Sequence, residues 1–193
     1  MDELLFLQLE KQIHLGTAER EAIKRHFHPR KLKKKQFLLR EGDICRQMAF
    51  VEKGALFSYS TDPKGSQHVI QFAFEGWWIA DLLSYFTNEP SKLYIEVLED
   101  CYLLLLDREN QEELMKEVPA FETYCRILYQ NAYVALQQRI ESTIGLSAEE
   151  RYTHLIGNNT FILSRVPQHL VASYLGITPE TLSRIRKQMA QNS

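Results

Sequence analysis

Cysteine is scarce in this chain: Cys45, Cys101 and Cys125 are the only three among 193 residues. A set that is odd in number and widely scattered makes neither a disulfide framework nor a Cys-x-x-Cys metal or redox motif, so buried packing is the expected role of each. Long apolar runs are missing too. The longest, near Leu103–Leu106, falls far short of the roughly 20 residues needed to span a bilayer. The start, Met-Asp-Glu-Leu-Leu, carries no basic region ahead of an apolar stretch, so no signal peptide is visible and a cytoplasmic, non-membrane protein is expected.

Charge of one sign is also lacking overall, with a formal net of −2. Its distribution is uneven. From Arg151 to Ser193 there are five bases (Arg151, Arg165, Arg184, Arg186, Lys187) against Glu180, a local +4 that leaves −6 for the remainder. A basic end on an acidic body suits a local nucleic-acid contact. A second basic run, Arg30, Lys31, Lys33, Lys34 and Lys35, reads as a solvated strand entrance.

The pattern along the chain divides it. Leu4–Phe27 alternates apolar and charged residues near helical period, with Gly16 inside it and Pro29 beyond. From Gln36 to Asp107, short runs rich in Val, Ile, Phe, Tyr and Leu are bounded by turn residues. The strands expected are Phe37–Arg40, Met48–Glu52, Leu56–Thr61, Gln67–Phe74, Ile95–Leu98 and Cys101–Leu106. Gly42, Gly54, Gly65 and Gly76 recur at spacings of 12, 11 and 11, a rhythm that suits an antiparallel roll or barrel. Asp107 reads as an N-cap, Arg108–Glu117 as a short helix, and Ala120 to about Ile144 as a long one. The long helix carries two apolar stripes, Phe121–Cys125–Leu128–Ala132–Ala135 and Tyr129–Tyr133–Leu136–Ile140–Thr143. Two stripes imply two partners, the roll and a second copy of the same helix. Gly145 closes the helix, and Ser147-Ala148-Glu149-Glu150 opens the next with a capping box.

The segment Val166–Ala190 meets the demands of a helix-turn-helix. With Gln168 as position one, position five is the small Ala172, position nine is Gly176, and positions 4, 8, 10, 15 and 18 are Val171, Leu175, Ile177, Leu182 and Ile185. The close helix crossing needs the small residue, the turn needs positive φ, and the apolar set pins the helices together. Thr178 is an N-cap, Pro179 fits the first helical position, and Glu180 complements the dipole. Glu180, Ser183, Arg184 and Lys187 then share an outer face suited to base edges, while Gln168, His169, Arg186 and Lys187 suit phosphates. A solvated helical hairpin or a protein-contacting module is the competing reading of this pattern.

The order of parts resembles the Crp/Fnr superfamily. The stretch Gly42-Asp43-Ile44-Cys45-Arg46-Gln47-Met48-Ala49-Phe50-Val51-Glu52-Lys53-Gly54 is similar to the family's first roll signature, and Pro179-Glu180-Thr181-Leu182-Ser183-Arg184 to its recognition-helix start. The resemblance implies an α+β fold: an N-terminal double-stranded antiparallel β-roll of the cyclic-nucleotide-binding kind, a long dimerisation helix, and a C-terminal helix-turn-helix, winged-helix-like with a truncated wing. It divides the chain into a sensor roll with flanking helices (1–118), the dimerisation helix (119–145) and a DNA-binding domain (146–193). It implies a sequence-specific transcription regulator, not an enzyme, with double-stranded DNA, a second copy and RNA polymerase as partners. The DNA-contacting set it implies is Gln168, His169, Thr178, Glu180, Thr181, Ser183, Arg184 and Lys187.

The sequence departs from the family at the phosphate cassette. Cyclic-AMP binders carry a Gly-Glu pair and an Arg-Ser pair, which fall here on Ala80-Asp81, followed by Leu82, and on Ser91-Lys92. Asp81 is one methylene shorter than the glutamate, Ser91 cannot neutralise phosphate, and strand alternation turns Lys92 away from Ser91. A buried phosphate without a partner charge is costly, so cyclic AMP is not expected to bind and no cofactor is expected. Trp77, Trp78, Tyr85 and Phe86 are read as filling the roll rather than lining a ligand pocket. The isolated cysteines do not supply an iron–sulfur cluster, and His68 alone on the strands does not supply the metal site of a cupin-like enzyme. With few residues after Met189, the wing is expected to be absent or to lie around Thr160–Leu163.

Overall fold

The computed structural model describes residues 2–192. The chain opens with helices α1 (Glu3–Leu9) and α2 (Thr17–His26). Their apolar positions are buried at Leu5, Leu9, Ile23 and Phe27, and Gly16 separates them as the N-cap of α2. Strands β1 (His28–Leu32), β2 (Phe37–Leu39), β3 (Gln47–Thr61), β4 (Gln67–Ala73) and β5 (Trp78–Ile79) follow, then α3 (Leu82–Thr87) and β6 (Tyr94–Asp107). They form one six-stranded sheet in the order β1-β6-β3-β4, with β2 also on β6 and β5 on β3. The pairings of β1, β2 and β3 with β6, and of β5 with β3, are antiparallel.

Two strands run longer than the residue pattern suggests. Met48–Glu52 and Leu56–Thr61 are halves of the single strand β3, and Ile95–Leu98 and Cys101–Leu106 are halves of β6. Gly54 is therefore not a turn. It sits in β3 at φ +94°, where the register against β6 shifts from Val51↔Leu103 to Lys53↔Tyr102 and on to Ala55↔Glu99. A Cβ there would lie 2.4 Å from the Asp100 carbonyl oxygen and 2.8 Å from Cys101 Sγ. A bulge glycine and a turn glycine leave the same mark in a sequence, and here the bulge bends two long strands instead of ending four short ones.

The basic run forms β1 and the turn after it. Arg30, Lys31, Lys33, Lys34 and Lys35 are exposed, Lys33 Nζ donates to Asp100 Oδ2 at 2.8 Å, and the Lys34 backbone N–H donates to Asp100 Oδ1 at 2.9 Å. This is the solvated strand entrance read from the sequence.

Helices α4 (Arg108–Glu117), α5 (Pro119–Gly145), α6 (Ala148–Asn158), α7 (Ile162–Arg165), α8 (Gln168–Leu175) and α9 (Pro179–Asn192) complete the chain. Asp107 holds the N-cap position of α4 but makes no side-chain cap. Its carboxylate accepts instead from Gln47 Nε2 at 2.6 Å and Asn110 Nδ2 at 3.5 Å. Ser147 caps α6 as expected, and Glu150 Oε2 accepts from the Ser147 N–H at 2.8 Å to complete the box. No wing forms around Thr160–Leu163, which lead into the helical turn α7. The backbone there satisfies itself through contacts such as Val166 N to Ile162 O at 2.8 Å.

The chain divides into two compact units, Met1–Ser60 with Gln71–Gln130, and Thr61–Ile70 with Asn131–Ser193. The first has two apolar clusters. One packs α1, α2, α4 and the start of α5 against the sheet, centred on Phe50, Leu106 and Phe121. The other fills the roll around Leu56, Ile79 and Leu103. Fully burying each such side chain is worth about 2 kcal/mol of transfer free energy.

The stripes of α5 sort differently from their spacing. Phe121 and Cys125 are buried, but Tyr129 joins them through its hydroxyl rather than starting the second stripe. The exposed stripe begins at Tyr133 and runs through Leu136 and Ile140 to Ile144, exposed by 68%, 54%, 51% and 82%.

Candidate nucleic-acid interface and ligand cassette

Helix α8 ends where the sequence requires. Gly176 takes φ 67°, ψ 34°, its N–H returns to Ser173 O at 3.0 Å, and Ile177 N returns to Ala172 O at 3.0 Å. Ala172, Val171, Leu175, Leu182 and Ile185 are all buried, so the small residue and the apolar pins meet across the α8–α9 crossing. Thr178 caps α9: the Thr181 N–H donates to Thr178 Oγ1 at 3.2 Å. The helix-terminal N–H of Glu180 itself and the Thr178 hydroxyl hold the Glu180 carboxyl below the usual carboxylate range. Glu180 is thus an ionised acceptor at neutral pH, suited to a cytosine amino group.

The expected contact residues separate into two kinds. Gln168, His169, Glu180, Ser183, Arg184 and Lys187 are exposed. Thr178 is exposed but engaged in capping, and Thr181 is half-buried with its Oγ1 3.2 Å from that of Thr178. Arg184, Arg186 and Lys187 have no carboxylate partner among the described residues. Other cations of this unit are committed to structure. Arg151 donates from Nε to Leu175 O at 3.1 Å and from Nη1 to Leu146 O at 2.7 Å, holding the C-terminal carbonyls of two helices. Arg139 does the same for α8, donating to Tyr174 O at 3.3 Å with its guanidinium 4.2 Å from the Tyr174 ring centroid. Neither role is legible from spacing, because both arginines lie on helices other than the one they cap.

The cassette residues are brought together, but not around an open anion site. Asp81 is buried and caps α3, accepting from Leu83 N at 3.1 Å and Ser84 N at 3.4 Å through Oδ1. Its other oxygen accepts from Ser91 Oγ at 2.7 Å. Ser91 is buried, while Lys92 is exposed; the two diverge in an irregular turn ahead of β6 rather than by strand alternation. Ala80 and Leu82 are half-buried flanks. A carboxylate already satisfied by a serine and a helix N-terminus, with no buried cation beside it, does not fit a cyclic phosphate.

Of the four aromatics, Tyr85 and Trp78 pack into the roll, whereas Trp77 and Phe86 are exposed by 38% and 49% and do not fill it. Tyr85 is 1% exposed and donates to Gln111 Oε1 at 2.8 Å, and Trp78 Nε1 donates to the Tyr124 hydroxyl at 2.9 Å. Phe86, half exposed, meets Tyr129 edge-on at 5.2 Å, and Trp77 meets Phe74 edge-on at 5.7 Å. Gln111 is the hub that the sequence did not reveal. Buried on α4, it also donates from Nε2 to Tyr129 Oη at 2.7 Å and Cys125 Sγ at 3.3 Å. A lone glutamine on a charged helix gives no sequence signal of that role. The three cysteines are buried apart, Cys45 in the loop before β3, Cys101 on β6 and Cys125 on α5, and among the described residues no group of three or more His, Cys, Asp or Glu is placed to hold a metal. They do not fit an iron–sulfur cluster.

A six-stranded roll with helices at both ends, leading by a long helix to a capped helix-turn-helix, defines a sensor-type roll joined to a nucleic-acid-reading unit. Residues 29–118 match the cyclic nucleotide-binding domain family. The chain is 26% identical over 175 residues to the transcriptional activator protein Anr of Pseudomonas protegens, covering 84% of this chain and 70% of the relative. Its fold is that of FixK2 from Bradyrhizobium japonicum (TM-score 0.72, 17% identity, 86% of this chain and 85% of the other). It is also that of a Crp/Fnr-family regulator from Eubacterium rectale (TM-score 0.68, 18% identity, 92% and 85%). By these matches residues 29–118 carry a domain of the cyclic nucleotide-binding family, and the chain is similar to transcription regulators of the Crp/Fnr type. Its named relatives are regulators rather than enzymes, which does not favour the cupin-like alternative.

Proposed function

We propose that this protein binds double-stranded DNA as a homodimer and reads a sequence-specific operator through α9. The observation that carries this is the exposed face of a capped, buried-hinge helix: Glu180, Ser183, Arg184 and Lys187 project from α9 while Leu182 and Ile185 pin it beneath. Arg184 pairs bidentately with a guanine, Glu180 accepts from a cytosine amino group, and Gln168, His169, Arg186 and Lys187 hold phosphates. Thr178 and Thr181 build the helix start and lie beside the backbone. The apolar stripe Tyr133–Leu136–Ile140–Ile144 supports pairing with a second copy. On this reading 1–118 serves as the regulatory roll, 119–145 as the dimerisation helix and 146–193 as the DNA reader, with RNA polymerase as the downstream partner. No described helix is long and apolar enough to cross a membrane, and we place the protein in the cytoplasm.

Asp81–Ser91 pairing supports a roll that does not answer to cyclic AMP. Any effector is of other chemistry, and none is needed to satisfy the cassette. The test is selection from a random DNA library at modest salt, with and without cyclic nucleotides. The expected product is a near-palindrome with half-sites roughly one helical turn apart, unaffected by cyclic AMP. Arg184→Ala should lose about 1–3 kcal/mol at one base position per half-site. Failure to enrich any sequence, or unchanged selectivity in Arg184→Ala, would falsify the reading.

A further inference from the structure

Strand β4 is the last in the sheet order, so among the described residues one of its edges has no neighbouring strand. An open edge presents N–H and C=O groups that demand partners, and proteins commonly cover it with a helix or loop. Within the second unit those partners are side chains. Ser173 Oγ on α8 donates to Gln67 O at 2.6 Å and accepts from Val69 N at 3.0 Å. One hydroxyl thus acts as both halves of the missing strand, bridging a carbonyl and an amide that point to the same side two residues apart. Arg139 on α5 takes the next group, donating to Val69 O at 2.8 Å, and the same Nη2 reaches Tyr174 O at 3.3 Å. Its guanidinium lies over the Tyr174 ring. Val69 itself is 2% exposed and the two bonds to its amide and carbonyl are partly buried, so these groups are costly to leave unmade, whereas the bond to Gln67 O faces solvent.

The clasp falls at the C-terminal turn of α8, immediately before Gly176 and the start of α9. We propose that Ser173 and Arg139 are positioning residues for DNA reading: by tying the end of α8 to the open edge of β4, they fix the direction in which the recognition helix leaves the turn. This rests on the DNA-reading function proposed above. Base readout tolerates displacements of only about 0.5 Å and 10–20°, so loosening α8 should cost selectivity before it costs folding.

The test uses the full chain as wild type, Ser173→Ala, Ser173→Thr and Arg139→Gln, each shown folded by a thermal melt. Affinities for the selected operator and for random DNA are measured across a salt series, and amide exchange is followed by mass spectrometry. Ser173→Ala and Arg139→Gln should lower the operator-to-random ratio about tenfold with the salt slope unchanged, because no phosphate contact is lost. Ser173→Thr, which keeps the hydroxyl, should restore the ratio. In Ser173→Ala, exchange should rise at Val69 and along α9 together. A ratio unmoved by Ser173→Ala, a threonine variant as weak as the alanine, a salt slope lowered by about one in Arg139→Gln, or increased exchange confined to Val69 each overturns the proposal. If wild type enriches no operator, the DNA reading fails by itself. The exchange result then decides the clasp: faster α9 amides support it and unchanged ones reject it.

Discussion

At the scale of single residues, the same amino acid does opposite work depending on what surrounds it. Gly176 is a helix terminator with open space around it, whereas Gly54 is wedged against the β6 backbone. Gly54→Ala therefore combines a left-handed φ with a close contact, a strain of about 1–3 kcal/mol before any steric cost. A urea titration should show the midpoint falling without a change in slope. The cysteines are likewise decided by their surroundings. Burial pushes the Cys101 and Cys125 thiols up to about 12 and raises Cys45 as well. All three remain protonated at neutral pH and shielded from solvent. A thiol reagent at pH 7.4, an ordinary assay condition near neutrality, should find no fast-reacting group in the native protein and three after unfolding. A fast native thiol would refute the placement.

At the scale of elements, helices α2 and α4 are joined through one carboxylate. Glu117 accepts from His26 Nε2 at 3.0 Å and Arg25 Nη2 at 2.5 Å. The His26 hydrogen bond first, and the Arg25 charge after it, hold its carboxyl below the ordinary value of 4.5. A carboxylate depressed in the folded state stabilises above its unfolded value and loses that contribution as pH falls through its folded value. Glu117→Gln should lower the urea midpoint at neutral pH, and the gap from wild type should close in the acid range below 4.5. A gap that persists unchanged into acid would show that the loss is one of packing rather than charge. The group is solvent-exposed, so the effect at neutral pH should be small and salt-sensitive.

At the scale of the whole molecule, the exposed stripe on α5 sets the expected assembly. Ile140, half exposed in the single chain, lies in the middle of that stripe. Ile140→Glu should give a monomer in sedimentation, because two facing carboxylates would be buried without a partner. Operator binding should weaken sharply while each half-site contact survives. A dimer that persists in Ile140→Glu would move the interface away from this helix.

Periodicity and turn chemistry made much of this protein legible beforehand. The second helix of the helix-turn-helix, its Thr178 cap, the αL glycine, the α6 capping box and the poor fit of Ser91 to a phosphate are local matters, set by residues a few positions apart. Bulges, hubs and clasps were not legible, because they join residues distant in the chain. Gly54 needed the β6 backbone beside it, Gln111 needed two tyrosines from other helices, and Asp107 forsook its cap for Gln47 on another strand. The sequence by itself determined where α9 begins and which of its faces is left exposed. Only the tertiary structure decided that Asp81 and Ser91 close on each other, and that Ser173 and Arg139 complete an open strand. Hydrogen-bond partners are chosen by proximity in space, and proximity is what folding alone supplies.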